Sequence, residues 1–392
     1  MTVLPSPQSL GLSIPEWESL ARLWSVPAYR GRQIFDAIHR RGVRSVPDIH
    51  EIPRDLRERL DREMPIALPA IVKSAASRDG SVKYGLKLED GALIEAVYMP
   101  GDPGGAQVNE FEDARAVERD TEHGTRDTGP DTGQRTGDAK DSRFTVCLSS
   151  QTGCAVDCAF CVTGRLGGGR NLTAGEIVGQ LYAVLDAVGR KADAARIVFM
   201  GMGEPFLNPD GVIAALDVLF ELLPRRRITV STSGITPAFA RFALLDRRPN
   251  LAVSLNAADE ETRSALMPIN RTYPLEGLIR AMRAWPVDPR RRITVEYVLI
   301  AGRNDSPEDA RRLVRLLDRI PAKVNLIPLN EDPTYLPGWK RPAEAVIDRF
   351  AAALSESGVA VTVRRSRGPD AAAACGQLKG RTEDPRRAPR TR

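Results

Sequence analysis

Apolar residues after Phe144 are grouped into short, nearly continuous runs that alternate with amphipathic stretches. The runs are FTVCLS, RIVFMG, ITVST, LAVSL, ITVEYVLI and KVNLIP. Such runs are typical of strands that are buried on both faces of a parallel sheet. The intervening stretches, for example residues 173–188 and 306–319, have helical periodicity. Six such βα units predict an α/β fold, with a partial TIM-like parallel barrel over residues 143–364 and functional groups at the carboxyl ends of its strands.

Helical periodicity also predicts a small N-terminal accessory domain over residues 1–68. Ser13 and Glu16 have the spacing of a capping box at the start of a first helix. Further helices are expected over residues 32–41 and from Pro53 onward. The domain carries the arginines Arg30, Arg32, Arg40, Arg41 and Arg44. These arginines suit phosphate contact, as in an RNA-binding domain, and a solvated helix face equally well.

Between the two predicted domains, the polar pattern changes twice. Residues 69–100 contain the turn dipeptides Asp79-Gly80 and Asp90-Gly91, which predict hairpin strands, and Glu95 lies in the strand after the second turn. Residues 101–142 contain eleven acidic and five basic residues, with very few apolar ones. Such a segment buries too little apolar surface to offset its chain entropy, so we expect an acidic, disordered insertion.

Composition and charge narrow the class of protein. The chain has 392 residues, of which 42% are hydrophobic, and a net charge of +5. Because residues 101–142 have a net charge of −6, the remainder carries +11, which suits a polyanion such as RNA. Charge alone does not distinguish a nucleic-acid-binding surface from a solvated basic surface. No apolar run is long enough for a membrane span and no signal-peptide pattern occurs, so we expect a cytoplasmic protein without membrane contact. We also expect it to be a monomer.

Three of the five cysteines form one cluster directly after the first barrel strand. Cys154, Cys158 and Cys161 are spaced so that their thiolates can bind three corners of a [4Fe–4S] cluster. The fourth iron is then open to a small molecule. A structural zinc site requires four ligands, but the histidines lie far from this loop in sequence and no second CxxC pair occurs. The pattern therefore favours one iron–sulfur cluster over zinc or a chance grouping of buried cysteines.

Polar residues follow the other predicted barrel strands. They are Gly203 and Glu204 after the second strand, Ser231 in the third, Ser254 and Asn256 at the fourth, and Asn330 after the sixth. Each taken singly is equally consistent with a turn or a cap. Taken together, they are expected to line one mouth of the barrel, where the Glu204 carboxylate suits the amino group of a small zwitterion.

Several motifs together resemble a known family. CxxxCxxC after a first barrel strand resembles the radical S-adenosylmethionine (SAM) superfamily. More narrowly, six segments of the chain resemble the RlmN family. They are TVCLSSQTGCAVDCAFC, GRNLTAGEIVGQ, MGMGEP, STSG, VNLIPLN and AACGQL. The resemblance extends from the segment YRGRQ at residues 29–33 to GQL at residues 376–378. It implies a methyltransferase that acts on C2 of an adenosine in 23S rRNA and, in some members, in tRNA.

The resemblance also implies roles for individual residues. Adenine C2 is electron-poor, so a radical route replaces ordinary polar methylation. Cys375, in the predicted C-terminal loop and basic tail over residues 365–392, would be methylated and carry the carbon to C2. Glu95 would accept the C2 proton, and Cys147 would resolve the adduct through a transient disulfide with Cys375. The implied SAM contacts are Gly203, Glu204, Ser231, Ser254, Leu255, Asn256 and Asn330. A flavodoxin or ferredoxin would donate the electron.

The chain departs from the family pattern at three places. Asn256 stands where the family usually has histidine, and residues 101–142 interrupt a link that is short in the family. Val162 and Thr163 replace the commoner Ala-Thr. Two other functions remain open at this point. One is a Cfr-like methyltransferase that acts on C8 of the same adenosine, and the other is an RNA-binding redox sensor.

Overall fold

A computed structural model of the chain describes residues 8–101, 143–288, 291–364 and 376–379. The helices are α1 Ile14–Leu23, α2 Tyr29–Phe35, α3 Arg54–Glu63, α4 Val162–Arg165, α5 Ala174–Val188, α6 Pro209–Phe220, α7 Thr236–Ala243, α8 Glu260–Leu266, α9 Leu275–Ala284, α10 Pro307–Leu316 and α11 Glu344–Glu356. The strands are β1 Ala70–Ala76, β2 Val82–Lys87, β3 Leu93–Met99, β4 Phe144–Cys147, β5 Ala195–Phe199, β6 Ile228–Thr232, β7 Asn250–Ser254, β8 Ile293–Leu299, β9 Ala322–Pro328 and β10 Ala360–Val363.

All ten strands belong to one sheet whose spatial order equals their order in the chain. The strands from β1 to β4 pair in antiparallel fashion, and those from β4 to β10 pair in parallel. Each parallel connection contains at least one helix, as a crossover between parallel strands requires. A parallel sheet without reversal of strand order is the arrangement of a wound barrel, not of a doubly wound sheet. The predicted partial barrel is therefore confirmed.

The barrel has one strand more than the six that the apolar runs predict. β10 pairs in parallel with β9, with Ala360 opposite Lys323 and Val363 opposite Leu326. Its residues are half-buried or exposed, because β10 pairs with β9 alone and lies at the edge of the sheet. An edge strand of four residues lacks the continuous apolar run that marks the buried strands, which is why the sequence pattern did not reveal it.

Both predicted hairpin turns are present in the antiparallel part of the sheet. The Asp79 carboxylate accepts the Ser81 N–H at 2.9 Å, and the Asp90 carboxylate accepts the Ala92 N–H at 2.9 Å. The glycine between each pair has a positive φ, +80° at Gly80 and +83° at Gly91. These Asx-type turns reverse the chain and bring β3, which contains Glu95, beside the first barrel strand.

The N-terminal helices agree with the sequence pattern except at the end of the second one. Ser13 and Glu16 form the expected capping box at the start of α1. The helix expected over residues 32–41 begins earlier, at Tyr29, and continues after Phe35 as the π-helical turn Asp36–Arg40. Three consecutive residues of this π turn, Ala37, Ile38 and His39, are buried.

The π turn docks the N-terminal helices onto the barrel. His39 Nδ1 lies 2.7 Å from the hydroxyl of Tyr182 on α5, and both side chains are buried. The guanidinium of Arg44 stacks 4.3 Å from the centroid of the Tyr182 ring and forms an ion pair of 3.0 Å with Asp186. Burial and the nearby Arg44 cation lower the pKa of His39 to about 3, so this histidine is neutral near pH 7.

Helices in the described ranges are too short or too polar to cross a membrane. The predicted insertion falls almost wholly outside the described residues, apart from residue 101.

The lowered pKa of His39 makes the free energy of unfolding depend on pH. Its folded pKa of about 3 lies below the unfolded value, so the unfolded chain binds the extra proton and acid lowers the free energy of unfolding. This linkage removes about 2 kcal/mol between pH 7 and pH 5. We expect His39→Gln to abolish that part of the pH dependence in urea unfolding. Tyr182→Phe should keep it while losing about 1 kcal/mol at both pH values. An unaltered slope in His39→Gln would contradict the prediction.

Candidate functional site

A cavity of about 170 Å³ opens at the carboxyl ends of the barrel strands. Most of the residues singled out in the sequence line it together, namely Cys154, Cys158, Cys161, Gly203, Glu204, Ser231, Ser254, Asn256 and Asn330. They come from the loop after β4 and from the ends of β5, β6, β7 and β9. Because parallel strands place all their carboxyl ends at one mouth, residues up to 176 positions apart in the sequence share one wall.

The three clustered cysteines lie on a loop held by backbone hydrogen bonds. Cys154 N–H donates to the carbonyl of Gly167 at 3.0 Å, and Cys161 N–H donates to that of Cys158 at 3.1 Å. Ala159 N–H donates to the carbonyl of Leu266, at the end of α8, at 2.8 Å. The loop is therefore fixed at both flanks and against a neighbouring helix, so the thiols face a preformed cavity.

The thiols of this loop suit a cationic group. Burial and the neighbouring Cys161 raise the pKa of Cys154 to about 12, and burial raises that of Cys158 as well. Such thiols hold their protons until a metal stabilises the thiolate. In the described ranges, no three His, Cys, Asp or Glu side chains converge as they would around a single metal ion. A cube-shaped cluster binds each thiolate through a different iron, so it requires a wider spacing, and three soft donors on one cavity wall fit it.

The segment after β5 brings glycine and a carboxylate to the cavity. Gly203 has a φ of +97°, and a Cβ there would collide with Gln151, so no larger residue fits. The Glu204 carboxylate accepts hydrogen bonds from the N–H and the hydroxyl of Ser233, each at 2.7 Å, and from Phe206 N–H at 2.9 Å. Burial nevertheless raises the pKa of Glu204. Glu204 thus ties β5 to β6 in addition to lining the cavity.

The serine and asparagine positions differ in what they present to the cavity. Ser231 and Ser254, near the ends of β6 and β7, are half-buried and line the cavity, as does Asn330 two residues after β9. Leu255 does not line it, because its side chain is fully buried in the core. Its N–H donates to the carbonyl of Glu296 at 3.0 Å, so both the side chain and the N–H of Leu255 stabilise the barrel.

Asn256, the residue that replaces the family's usual histidine, stabilises the turn after β7. Its φ is +60°, a left-handed conformation that asparagine tolerates better than most residues. Its side-chain oxygen accepts the Val298 N–H at 2.8 Å, and its amide lies 3.2 Å from the sulfur of Met267. Both ends of the amide are engaged with the protein, so Asn256 contributes to the cavity wall as a fixed group.

A buried arginine that the sequence analysis missed lies behind this wall. Arg263 on α8 is fully buried, and it donates to the carbonyl of Ser233 at 2.6 Å, to that of Leu255 at 3.2 Å and to the side-chain oxygen of Asn270 at 2.5 Å. Burial lowers its pKa to about 10, which leaves it charged at neutral pH. No sequence pattern marks it, because arginine in a short helix is ordinarily exposed.

Glu95 and Cys147 lie on neighbouring strands beside the cavity but do not line it. The Glu95 carboxylate accepts the Lys379 N–H at 2.7 Å and forms an ion pair of 3.2 Å with Lys83. Cys147 is buried at the end of β4, opposite Val97 of β3. Glu95 is thus joined directly to the C-terminal segment, 284 residues away in sequence.

The described C-terminal segment, residues 376–379, closes one side of the cavity. Gly376 and Leu378 line it, and their carbonyls accept hydrogen bonds of 2.7 Å from Val162 N–H and the Thr163 hydroxyl. These are the two positions where the family more commonly has Ala-Thr, so only Val162 differs in residue type. The Val162 contact uses only backbone, and Thr163 keeps the hydroxyl that the second contact requires. Cys375, bonded to Gly376, lies outside the described residues.

Comparison with known proteins gives consistent matches. The model of the radical SAM superfamily matches residues 148–325. A probable dual-specificity RNA methyltransferase RlmN of Koribacter versatilis is 43% identical over 91% of this chain and 97% of its own length. A dual-specificity RNA methyltransferase RlmN of Syntrophobacter fumaroxidans is 40% identical over 93% of this chain and 96% of its own length.

A solved structure agrees with these matches in both sequence and fold. The crystal structure of a radical SAM methyltransferase from Sphaerobacter thermophilus superimposes with a TM-score of 0.79 at 37% identity, covering 95% of this chain and 99% of that one. The match therefore includes the N-terminal helices and the hairpin strands as well as the barrel. Because the chain is about 40% identical to several RlmN relatives over more than nine-tenths of its sequence, it belongs to the RlmN family within the radical SAM superfamily.

Proposed function

We propose that this chain is a radical SAM enzyme that methylates C2 of an adenosine in 23S rRNA, and of an adenosine in tRNA as well. The observation that carries the proposal is the cavity in which the cysteine loop, the ends of five barrel strands and the segment after Cys375 meet. Membership of the RlmN family supports it, because the relatives are described as dual-specificity RNA methyltransferases. Location in the cytoplasm and a monomeric state stay predictions from the sequence.

The proposed ligands of a [4Fe–4S] cluster are Cys154, Cys158 and Cys161. Such a cluster, when bound with one open iron, supplies the electron that cleaves SAM to a 5′-deoxyadenosyl radical. The chain's own groups would position SAM at the cavity wall. The Glu204 carboxylate oxygen that accepts the Phe206 N–H can accept a further hydrogen bond, which suits the SAM amino group. Gly203, Ser231, Ser254 and Asn330 would supply further contacts, with Asn256 as a fixed part of the wall.

Three residues would move the methyl group. Cys375 would accept on its sulfur the methyl group of one SAM molecule and lose a hydrogen atom from that methyl to the 5′-deoxyadenosyl radical of a second. The resulting carbon radical would add to adenine C2, and transfer of the C2 proton to Glu95 with loss of one electron would restore the aromatic ring. Cys147 would then attack the Cys375 sulfur, so that the bond from this sulfur to carbon breaks, the released carbon takes up a proton and the methylated base leaves as the disulfide forms. Two contacts support this assignment, since Glu95 binds the Lys379 N–H four residues after Cys375, and Cys147 lies on the strand beside that of Glu95.

Charge also supports RNA as the substrate. Outside residues 101–142, the chain carries a net charge of +11, of which +10 belongs to residues 143–392. The N-terminal helices are nearly neutral overall, yet Arg32, Arg40 and Arg41 are exposed there, where they can contact phosphate. A flavodoxin or ferredoxin would be the electron donor.

The nature of the product tests the proposed function. We expect anaerobically reconstituted protein, given SAM, a chemical reductant and unmodified 23S rRNA or tRNA, to produce 2-methyladenosine in the nuclease digest, as measured by mass spectrometry. 8-Methyladenosine would instead indicate the Cfr-like reaction and overturn the C2 assignment. Protein that holds a cluster but neither cleaves SAM nor methylates RNA would favour the redox sensor.

Substitutions of Cys375 and Cys154 are predicted to abolish different functions, namely methyl transfer and cluster binding. Cys375→Ala should retain full iron and sulfide content and still cleave SAM, because Cys375 is not among the proposed cluster ligands, yet it should yield no methylated RNA. Cys154→Ala is the matched control, which should lose the cluster and both activities. Iron and sulfide analysis, 5′-deoxyadenosine formation and RNA methylation distinguish the two. Normal methylation by Cys375→Ala would refute the methyl-carrier role.

Glu95 is predicted to act through its charge as a base. Glu95→Gln keeps an oxygen that can accept the Lys379 N–H, but it cannot remove a proton, so methylation should fall by about 100-fold or more. Lys83→Met is the matched control, because it breaks the same ion pair and leaves the carboxylate in position. It should retain methylation within about tenfold of the unaltered protein. Equal losses in the two variants would show that only the ion pair matters.

A further inference from the structure

Arg263 combines full burial with uncharged hydrogen-bond partners. Its three acceptors are two backbone carbonyls, of Ser233 and Leu255, and the amide oxygen of Asn270. Such acceptors satisfy the N–H groups of the guanidinium but do not neutralise its charge. A buried charge without a neutralising partner is costly, so some negative group is expected nearby. The carboxylate of Glu260 attracts the guanidinium electrostatically, but its hydrogen bond is to Asn270, whose amide N–H donates to it at 2.5 Å.

The cysteine loop, which would carry three thiolates when it binds a cluster, packs against the same helix as Arg263. Ala159 N–H donates to the carbonyl of Leu266, one turn after Arg263 on α8, so the loop rests on this helix. Cys158 and Phe160 pack against a small apolar cluster that includes Leu266 and Met267. The Arg263 guanidinium itself binds the carbonyl of Ser233, which lines the same cavity as the three cysteines. Nothing in the arrangement depends on RNA or on the C-terminal segment.

We propose that Arg263 is a positioning residue whose buried charge offsets the negative charge of a cluster held by Cys154, Cys158 and Cys161, and thereby favours one-electron reduction of that cluster. This inference rests on the proposed cluster site. Three thiolates carry more negative charge than the oxidised cluster core offsets, and reduction adds another electron. A fixed cation behind the cysteine loop stabilises the reduced state most, because net charge and burial set the potential of such centres.

Arg263 also has a structural effect, because its hydrogen bonds fix the positions of backbone groups. The test must distinguish this effect from the effect of its charge. They hold the Ser233 carbonyl at the end of β6 and the Leu255 carbonyl after β7. Arg263→Lys keeps the charge but cannot make three such bonds from one ammonium in the same positions. Arg263→Gln removes the charge. Arg271→Gln, at an exposed neighbouring position, removes an equal charge from the surface and is the matched control.

The experiment measures the reduction potential of reconstituted full-length protein by a redox titration followed with electron paramagnetic resonance. We expect Arg263→Gln to lower the equilibrium constant for one-electron reduction by about tenfold or more, which corresponds to a potential about 59 mV lower. Arg263→Lys should stay within about threefold of the unaltered protein, as should Arg271→Gln. Iron and sulfide content and thermal unfolding are measured alongside for each variant.

The possible outcomes decide between charge and geometry. Equal shifts in Arg263→Gln and Arg263→Lys, or an unshifted potential in Arg263→Gln, would overturn the electrostatic role while leaving the proposed function intact. If Arg263→Gln does not fold, Asn270→Asp takes its place, because it puts a carboxylate against the intact guanidinium and should lower the potential likewise. An unshifted potential in Asn270→Asp would then overturn the role. Unaltered protein that binds no cluster would overturn both proposals.

Discussion

A chain of buried hydrogen bonds joins the ends of three barrel strands, and the cavity wall depends on it. Ser233, after β6, donates twice to the Glu204 carboxylate after β5, and its own carbonyl accepts from Arg263. The same guanidinium binds the carbonyl of Leu255 after β7. Each link pairs a charged group with polar partners in a site of low polarity, where such bonds are strong and their loss is costly. The wall is therefore rigid before any ligand binds.

Attached to this rigid wall are two segments that come from distant parts of the chain. The cysteine loop rests on α8 through Ala159 and Leu266, and residues 376–379 rest on Val162 and Thr163 just after that loop. Glu95, from the antiparallel hairpin, binds the end of the same C-terminal segment. The cysteine loop, the C-terminal segment and the strand of Glu95 are thus connected to one another by hydrogen bonds beside the cavity.

Much of the fold follows from local patterns. Continuous apolar runs predicted six of the seven parallel strands, and the Asp-Gly dipeptides predicted both hairpin turns. These features depend on burial and backbone conformation within a few residues, which periodicity and turn chemistry encode directly. The strand β10 and the π turn Asp36–Arg40 were missed, because an exposed edge and an inserted residue both break the simple periods.

The sequence by itself determined which thiols, carboxylate and strand-end residues are present and at which barrel mouth most of them lie, because chain order fixes strand order in a wound barrel. Only the tertiary structure decided what those residues touch. It turned Leu255 into the core, engaged Asn256 with Val298, buried Arg263, and joined Glu95 to Lys379. Such contacts join residues that are far apart in sequence, and their geometry depends on how whole elements pack, which no local period records.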